Sequence, residues 1–231
     1  MCKTPMAGQS KTRLSPPLRP EECARLSACF IQDLAHTIDG LVGQGGVTGY
    51  AVYTPAGSEP ALRQLLPKGF DLLLQCDGPF GVRLLHGITN LLNAGHRGAV
   101  LINSDSPTLP VSILGDAADA LRKRDCVVLS PALDGGYTLI GLAQPHAQLF
   151  ADIPWSTDRV YELTLERAEE IGLPVVTLPG WYDVDDSQSL AMLEQELTGS
   201  APAFLKVAGA EAPATKEFIQ AWRSSLALRS A

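Results

Sequence analysis

Short apolar runs alternate with longer amphipathic segments along most of this sequence, and that order restricts the fold more than any other feature. Residues 98–103, GAVLIN, form a continuous apolar run typical of a strand that is covered on both faces. Residues 20–41 repeat apolar side chains every three or four positions, which predicts a helix that begins at Pro20. We therefore expect an α/β fold in which helices pack on a mostly parallel sheet.

The same patterns predict the other elements and a change of character near the carboxyl end. We expect strands at 49–54, 70–75, 98–103, 126–130, 137–142 and 175–178. We expect helices at 20–41, with Gly43 as the stop, and at 59–66, 80–93, 111–123, 157–171, 187–197 and 216–228. From Gly199 the composition shifts to Ala, Pro and Gly, which divides the chain into a domain at 1–198 and a partly helical tail at 199–231 whose role stays open.

Composition and charge exclude several classes of partner. The 231 residues contain 18 Lys and Arg against 25 Asp and Glu, a net charge of -7, which disfavours nucleic acid and anionic membranes as partners. A small phosphate ligand is still compatible, because it needs only a few local cations or a metal ion. The longest apolar runs are far shorter than a membrane span, and the five cysteines are widely spaced without a CxxC pair. We expect a cytoplasmic protein with reduced cysteines.

Three cations lie in a loop close to the amino terminus: Lys3, Lys11 and Arg13. Pro5 and Gly8 shape this loop, which precedes the first predicted helix. Loop amides with Lys and Arg suit the binding of a di- or triphosphate, although the spacing is not that of a P-loop. A solvated basic terminus is an equally good interpretation of the spacing alone.

Asp105 follows the most apolar strand, where ligands of open α/β sheets commonly bind. Its carboxylate would suit Mg2+ or Mn2+ that bridges substrate phosphates. The alternative is a turn aspartate held by Ser104 and Ser106.

A second acidic turn reads Asp134-Gly135-Gly136. The glycines would let a ligand approach the backbone, and the aspartate can accept a proton or a hydrogen bond. Asp-Gly is also a common hairpin turn, which the spacing alone favours.

Asp183 and Asp185 lie two residues apart and share a side of the chain if it is extended. They could complete a metal site with Asp105. Asp185 with Gln188 also fits a variant of the helix capping box, so one aspartate would cap while the other binds.

Asp77 and Arg83 flank a turn at 78–81. They could face a ligand, but a structural role at the start of a helix is the default interpretation.

Taken together and in order, five motifs resemble one family: KxPxxGxxKTRL at 3–14, SDSP at 104–107, PAxDGGYxLIGL at 131–142, WST at 155–157 and DVD at 183–185. They are similar to a bacterial family of glycosyltransferase-A-like nucleotide-diphospho-sugar transferases. The more distant resemblance is to 2-phospho-lactate guanylyltransferase and the molybdenum-cofactor nucleotidyltransferases. The family implies a Rossmann-like three-layer α/β/α fold that holds a nucleoside di- or triphosphate through Mg2+ or Mn2+.

Carried over by position, the resemblance assigns roles to individual residues. The phosphate-binding residues would be Lys3, Gly8, Lys11 and Arg13. The metal ligands would be Asp105 with Asp183 or Asp185, and Asp105 and Asp134 would be catalytic. The acceptor or sugar pocket would contain Gly135, Gly136 and Trp155. The turn at 78–81 reads GPFG where relatives carry an acidic GDLG, so a pocket carboxylate is absent here.

Three functions are compatible with these motifs. The first is glycosyl transfer from a nucleotide sugar to a small-molecule acceptor, with Asp134 as base. The second is nucleotidyl transfer from a nucleoside triphosphate, in which Lys11 and Arg13 would stabilise the transition-state charge. The third is a nucleotide-binding module without catalysis. Glycine is sparse in the amino-terminal loop, which favours the nucleotide sugar, and the retained aspartates disfavour the third function.

The amino terminus departs from the family pattern. Relatives place an apolar strand in the middle of the sheet just before the KxP loop, whereas only Met1 and Cys2 precede Lys3 here. A missing central strand would leave the backbone groups of its neighbours unpaired. We expect that the natural chain starts upstream or that another segment fills this position.

Overall fold

The computed structural model describes residues 1–42 and 46–229, and within them the chain forms seven strands and seven α-helices. The strands are β1 (Cys2–Lys3), β2 (Tyr50–Thr54), β3 (Asp71–Leu74), β4 (Ala99–Ile102), β5 (Val127–Pro131), β6 (Tyr137–Leu142) and β7 (Val175–Thr177). The helices are α1 (Pro20–Asp39), α2 (Glu59–Arg63), α3 (Phe80–Asn93), α4 (Val111–Lys123), α5 (Val160–Glu170), α6 (Ser187–Leu197) and α7 (Pro213–Arg229). The predicted stop at Gly43 lies outside the described residues.

The strands form two sheet segments, in the orders β1-β2-β3 and β4-β6-β5-β7. The pairs β1–β2, β2–β3 and β5–β7 are parallel, while β6 runs antiparallel to both β4 and β5. One strand, β6, is therefore the exception in a mostly parallel arrangement.

Helices cover both faces of the sheet. On β5, Val128 faces an apolar cluster with residues of α1, α4, α6 and α7, whereas Val127 and Leu129 face a second cluster with α3 and α5. This alternation follows from the two-residue period of a strand. The α/β/α layering expected from the sequence is thereby confirmed. Among the described helices, none combines the length and the apolar character needed to cross a membrane.

The tail ends in α7, which packs against α1. The buried carboxylate of Asp33 in α1 accepts hydrogen bonds from the backbone N–H of Ala214 at 3.0 Å and of Thr215 at 2.8 Å. Phe218 and Trp222 belong to the same apolar cluster as helix α1. An acceptor at the amino end of a helix satisfies donors that have no partner inside the helix, so α7 begins at Pro213, earlier than the predicted residue 216.

The first strand is only two residues long, and it determines how the two sheet segments meet. The terminal amine of Met1 donates to the carbonyl oxygen of Ile102 in β4 at 2.8 Å, and burial lowers the pKa of this amine. Beside it, between β2 and β4, lies a cleft of about 490 Å³ that is lined by apolar side chains such as Val52, Leu91, Leu101 and Leu121. Residues 1–3 thus fill one end of the position that the sequence analysis assigns to a central strand. As expected, apolar clusters cover both faces of β4, but the strand is an edge of its sheet segment rather than central, so Val100 and Ile102 are only partly buried.

Candidate functional site

Three loops converge beside the carboxyl end of β4: residues 4–14, 103–106 and 183–186. The backbone N–H of Val184 donates to the carbonyl oxygen of Asp105 at 2.9 Å, which joins two of them. Lys11 joins the third, because its Nζ lies 2.7 Å from Asp105 Oδ1 and 2.9 Å from Asp185 Oδ1. The same ammonium donates to the carbonyl oxygen of Val184 at 2.7 Å. The site is therefore centred on one lysine held by two carboxylates.

The other cations of the amino-terminal loop are placed differently. The Lys11 side chain is 5% exposed, whereas Arg13 is 76% exposed and lies 3.8 Å from Asp185 Oδ2. Lys3 and Gly8 are exposed, and Gly8 has a φ of +74° that shapes the loop. A solvated terminus thus describes Lys3 and Arg13 but not Lys11, which is part of a closed ion-pair network.

Asp183 lies in the most acidic part of the site. The pKa of its carboxyl is raised to about 6, chiefly by burial and then by the charges of Asp185, Asp134 and Asp105 in that order. These four aspartates come from three separate segments of the chain, and the structure brings them close enough to repel one another. An additional positive charge would be favourable beside them.

Carboxylate oxygens are the ligands that Mg2+ and Mn2+ prefer, so the donor set of Asp105, Asp183 and Asp185 fits such an ion. Within residues 1–42 and 46–229, no three His, Cys, Asp or Glu side chains already form a metal-binding group. Magnesium commonly binds through one or two carboxylates together with substrate phosphates, and the arrangement suits this mode. A divalent ion would share Asp105 and Asp185 with Lys11.

The predicted cap of α6 is one residue too early. Asp186, rather than Asp185, is the capping residue, and its Oδ1 accepts from the backbone N–H of Ser189 at 2.8 Å. In return, the Ser189 hydroxyl accepts from the backbone N–H of Asp186 at 3.0 Å. Because the cap uses neither Asp183 nor Asp185, both carboxylates remain for the site.

The turn at 134–136 joins β5 to β6 and is a hairpin turn, as its spacing indicates. Asp134 Oδ1 accepts from the backbone N–H of Gly136 at 2.9 Å, which orients the carboxylate. Gly135 has a φ of +85°, and a Cβ there would lie 2.0 Å from the carbonyl oxygen of Asp158. The turn also belongs to the acidic region, since Asp134 contributes to the raised pKa of Asp183. A hairpin turn and a position close to a ligand site are therefore compatible interpretations of this motif.

A cavity of about 460 Å³ opens between the amino-terminal loop and the ends of β3, β4 and β6. Its lining includes the predicted residues Lys3, Lys11, Arg13, Asp105 and Asp185. Gly8, Asp134, Gly135, Gly136, Asp183 and Trp155 are outside this lining. Trp155 instead packs edge-to-face on Phe80, with 5.1 Å between the ring centroids.

Several lining residues were not singled out by the sequence analysis, among them Gln75, Phe80, Asn103 and Tyr137. Gln75 and Asn103 directly follow β3 and β4, so the rule that ligands bind beyond the carboxyl ends of strands could have identified them. Asn103 Oδ1 accepts from the backbone N–H of Asp105 at 3.1 Å and so supports the turn that carries this aspartate.

Comparison with known protein families shows the family to which this chain belongs. The model of a bacterial family described as an uncharacterized protein conserved in bacteria (DUF2064) matches residues 37–157, just over half of the chain. The chain belongs to this family. The part matched by the DUF2064 model includes Asp105, the turn at 134–136 and Trp155, whereas Lys11, Asp183 and Asp185 lie outside it.

Two solved structures share the fold. A crystal structure from Desulfovibrio desulfuricans, provisionally described as a nucleotide-diphospho-sugar transferase, has a TM-score of 0.81 and 26% sequence identity, and the match covers 96% of this chain and 93% of that one. CMP:2-keto-3-deoxy-manno-octonic acid synthetase, solved with CTP, has a TM-score of 0.51 and 13% identity over 73% of this chain and 88% of that one. The second likeness concerns the fold alone. No curated protein sequence gives a significant match.

Proposed function

We propose that this protein is a metal-dependent transferase that uses a nucleotide-activated donor, and that the donor is a nucleotide sugar. The observation that carries the proposal is the contact of Lys11 with both Asp105 and Asp185 beside the 460 Å³ cavity, with Asp183 close enough for their charges to raise its pKa. The likeness over nearly the full chain to a protein described as a nucleotide-diphospho-sugar transferase supports the nucleotide sugar as donor.

The residues present suggest a division of roles. Asp105 together with Asp183 or Asp185 would hold Mg2+ or Mn2+, which would neutralise charge on the diphosphate of the leaving group. The exposed Arg13 would bind the phosphates, whereas the ammonium of Lys11, whose three donors already meet Asp105, Asp185 and the Val184 carbonyl oxygen, would act on them through its charge. Asp134, oriented by the Gly136 N–H, would accept the proton of an attacking hydroxyl.

Nucleotidyl transfer is the second candidate function. The buried ammonium of Lys11 lies against the same carboxylates that would hold the metal ion, and a cation fixed there would also stabilise a triphosphate that loses pyrophosphate. The chemistry separates the two candidates, because glycosyl transfer releases a nucleotide and nucleotidyl transfer releases pyrophosphate.

A binding panel with a product assay tests the proposal. The thermal midpoint is measured with nucleoside triphosphates and nucleotide sugars, each with and without Mn2+, since a ligand stabilises the state that binds it. We expect a Mn2+-dependent increase with a nucleotide sugar. An increase only with triphosphates, together with pyrophosphate release, would support nucleotidyl transfer instead. No Mn2+-dependent increase with any of these ligands would overturn both candidates.

A matched pair of variants assigns the site. Asp105→Asn should abolish the Mn2+-dependent increase, because the amide carries no charge. Asp116→Asn changes an exposed aspartate on α4 in the same way and should retain it. If Asp105→Asn responds like the wild type, Asp105 is not part of the metal site.

A further inference from the structure

The cavity has a second cationic position, formed by Arg83 near the start of α3. Its Nη1 donates to Gln75 Oε1 at 3.3 Å, and its guanidinium lies over the ring of Phe80, 5.3 Å from the centroid. Its Nε is buried and has no hydrogen-bond partner among the described residues. A buried guanidinium donor without an acceptor is unfavourable for folding.

The backbone of β1 and β2 holds the Gln75 side chain independently of its contact with Arg83. Its Nε2 donates to the backbone carbonyl oxygen of Val52 at 2.9 Å and to that of Cys2 at 3.2 Å. Both amide hydrogens are therefore directed at the backbone of β1 and β2, which leaves Oε1 for the guanidinium. Arg83 is thus oriented by a side chain that is itself bonded to the sheet.

The charge environment of Arg83 differs from that of Lys11. Two carboxylates lie within 2.9 Å of the Lys11 ammonium, whereas no carboxylate of the described residues lies within 4.0 Å of the Arg83 guanidinium. Lys3 also lines the cavity, but it is exposed to water, which stabilises its charge. Of the cavity cations, Lys11 is neutralised by two carboxylates, Lys3 and Arg13 are exposed, and Arg83 is oriented and partly buried with no carboxylate of the described residues within 4.0 Å.

We propose that Arg83 binds an oxyanion, a phosphate or a carboxylate, of the substrate that occupies this cavity. The planar guanidinium can donate two parallel hydrogen bonds to such a group, and Gln75 and Phe80 restrict its orientation in advance. The inference rests on the proposed function in one respect, namely that the 460 Å³ cavity is the substrate site. The proposal adds that this substrate carries an oxyanion, and that Arg83 binds it without a contribution from the aspartates of the site.

Two sources could supply this oxyanion: the nucleotide donor or a second substrate. Calorimetric titration of the full chain distinguishes them. In one arm, UDP-glucose, UDP, CDP and GDP are titrated into the protein in EDTA, which removes the contribution of a divalent ion. In the other arm, inorganic phosphate and acetate are titrated into the free protein and into protein saturated with the nucleotide that binds best.

The decisive variant is Arg83→Met, which keeps an unbranched apolar side chain and removes the guanidinium with its charge and donors. We expect it to weaken binding of at least one oxyanion probe by about 10- to 100-fold, the typical effect of losing a hydrogen-bonded charge. A loss for the nucleotides assigns the oxyanion to the donor. A loss only for phosphate or acetate assigns it to a second substrate.

Controls separate binding from folding. Arg124→Met removes an exposed arginine after α4 and should leave all affinities unchanged. Arg83→Lys keeps the charge but not the paired donors and should give an intermediate affinity. The thermal midpoint of Arg83→Met should change little, because the loss of the Gln75 hydrogen bond and the Phe80 contact is offset by removal of a buried Nε that has no partner among the described residues.

The outcomes are distinct from those of the proposed function. If phosphate or acetate binds through Arg83 but no nucleotide binds, the proposed function fails and the oxyanion site stands. If Arg83→Met binds every probe as the wild type does, or if the wild type binds none of them, the proposal is overturned. A lower thermal midpoint with unchanged affinities would show a purely structural role.

Discussion

The ammonium of Lys11 lies 2.7 Å from the carboxylate of Asp105 and connects the amino-terminal loop directly to the carboxyl end of β4. Asp185, which contacts the same ammonium at 2.9 Å, brings in the segment before α6. The three segments that the family resemblance assigns to the phosphates and the metal ion are therefore held together by one buried side chain. Much of the stability of this region should depend on that contact.

Replacement of Lys11 by Met should lower the free energy of unfolding by about 1–3 kcal/mol, because the partly exposed carboxylates would keep their mutual repulsion without the cation. Chemical denaturation at neutral pH measures the effect. Lys68→Met, which removes an exposed lysine outside the site, should change stability little. Equal losses in the two variants would contradict a stabilising role for the Lys11 network.

Asp183 should make the stability of the metal-free protein depend on pH. Its pKa in the folded state is raised to about 6, whereas the unfolded value is about 4. Folding therefore favours the protonated carboxyl, and stability falls as pH rises from about 4 through 6. The Asp183→Asn variant lacks this loss. We therefore expect its free energy of unfolding to exceed that of the wild type by roughly 1–2 kcal/mol at pH 7.5, a value reduced because the carboxyl is partly exposed. At pH 4 we expect no gain.

Thermal unfolding in EDTA across pH 4 to 8 checks this expectation. Asp116→Asn, at an exposed position on α4, serves as the reference for loss of a carboxylate far from the cluster. A pH-independent difference between Asp183→Asn and the wild type would show that burial and repulsion do not act on this carboxyl.

Gly135 in the hairpin turn and Gly8 in the amino-terminal loop both have a positive φ, so the effects of replacing them can be compared. At Gly135 a new Cβ would lie 2.0 Å from the backbone of Asp158, whereas at Gly8 it would meet no atom of residues 1–42 and 46–229 within 4 Å. Gly8→Ala should therefore cost about 1 kcal/mol for the backbone conformation alone. Gly135→Ala should cost at least about 2–4 kcal/mol, since the backbone at Asp158 has to move as well. Urea unfolding measures both, and similar costs would contradict the close approach at Gly135.

The cleft between β2 and β4 should accept an extended apolar segment. Addition of Val-Ile-Val-Val before Met1 would convert the buried amine into an amide and cover apolar side chains such as Val52 and Leu101. We expect a gain of about 1–3 kcal/mol, seen as a rise of several degrees in the thermal midpoint. Addition of Gly-Ser-Gly-Ser has the same length without the apolar groups and should give little change. An equal rise with both sequences would count against a strand-shaped cleft.

Local sequence patterns determined most of the secondary structure. The helices at Phe80–Asn93 and Val111–Lys123 and the strand at Tyr137–Leu142 have the bounds that periodicity predicts. The order of these elements also indicated the α/β class, and its position after a strand made Asp105 a candidate for the site. Such features depend on neighbours a few residues apart, which a sequence displays directly.

The tertiary structure alone decided which residues meet. It placed Lys11 between Asp105 and Asp185, and it placed an oriented Arg83 in the same cavity with no carboxylate of the described residues within 4.0 Å. It also fixed the start of α7, whose first N–H groups bind the distant carboxylate of Asp33. Each of these contacts joins segments far apart in the chain, and their geometry is set by the packing of helices on the sheet. Charge and residue type are visible in a sequence, but the distance between two charges exists only after the chain has folded.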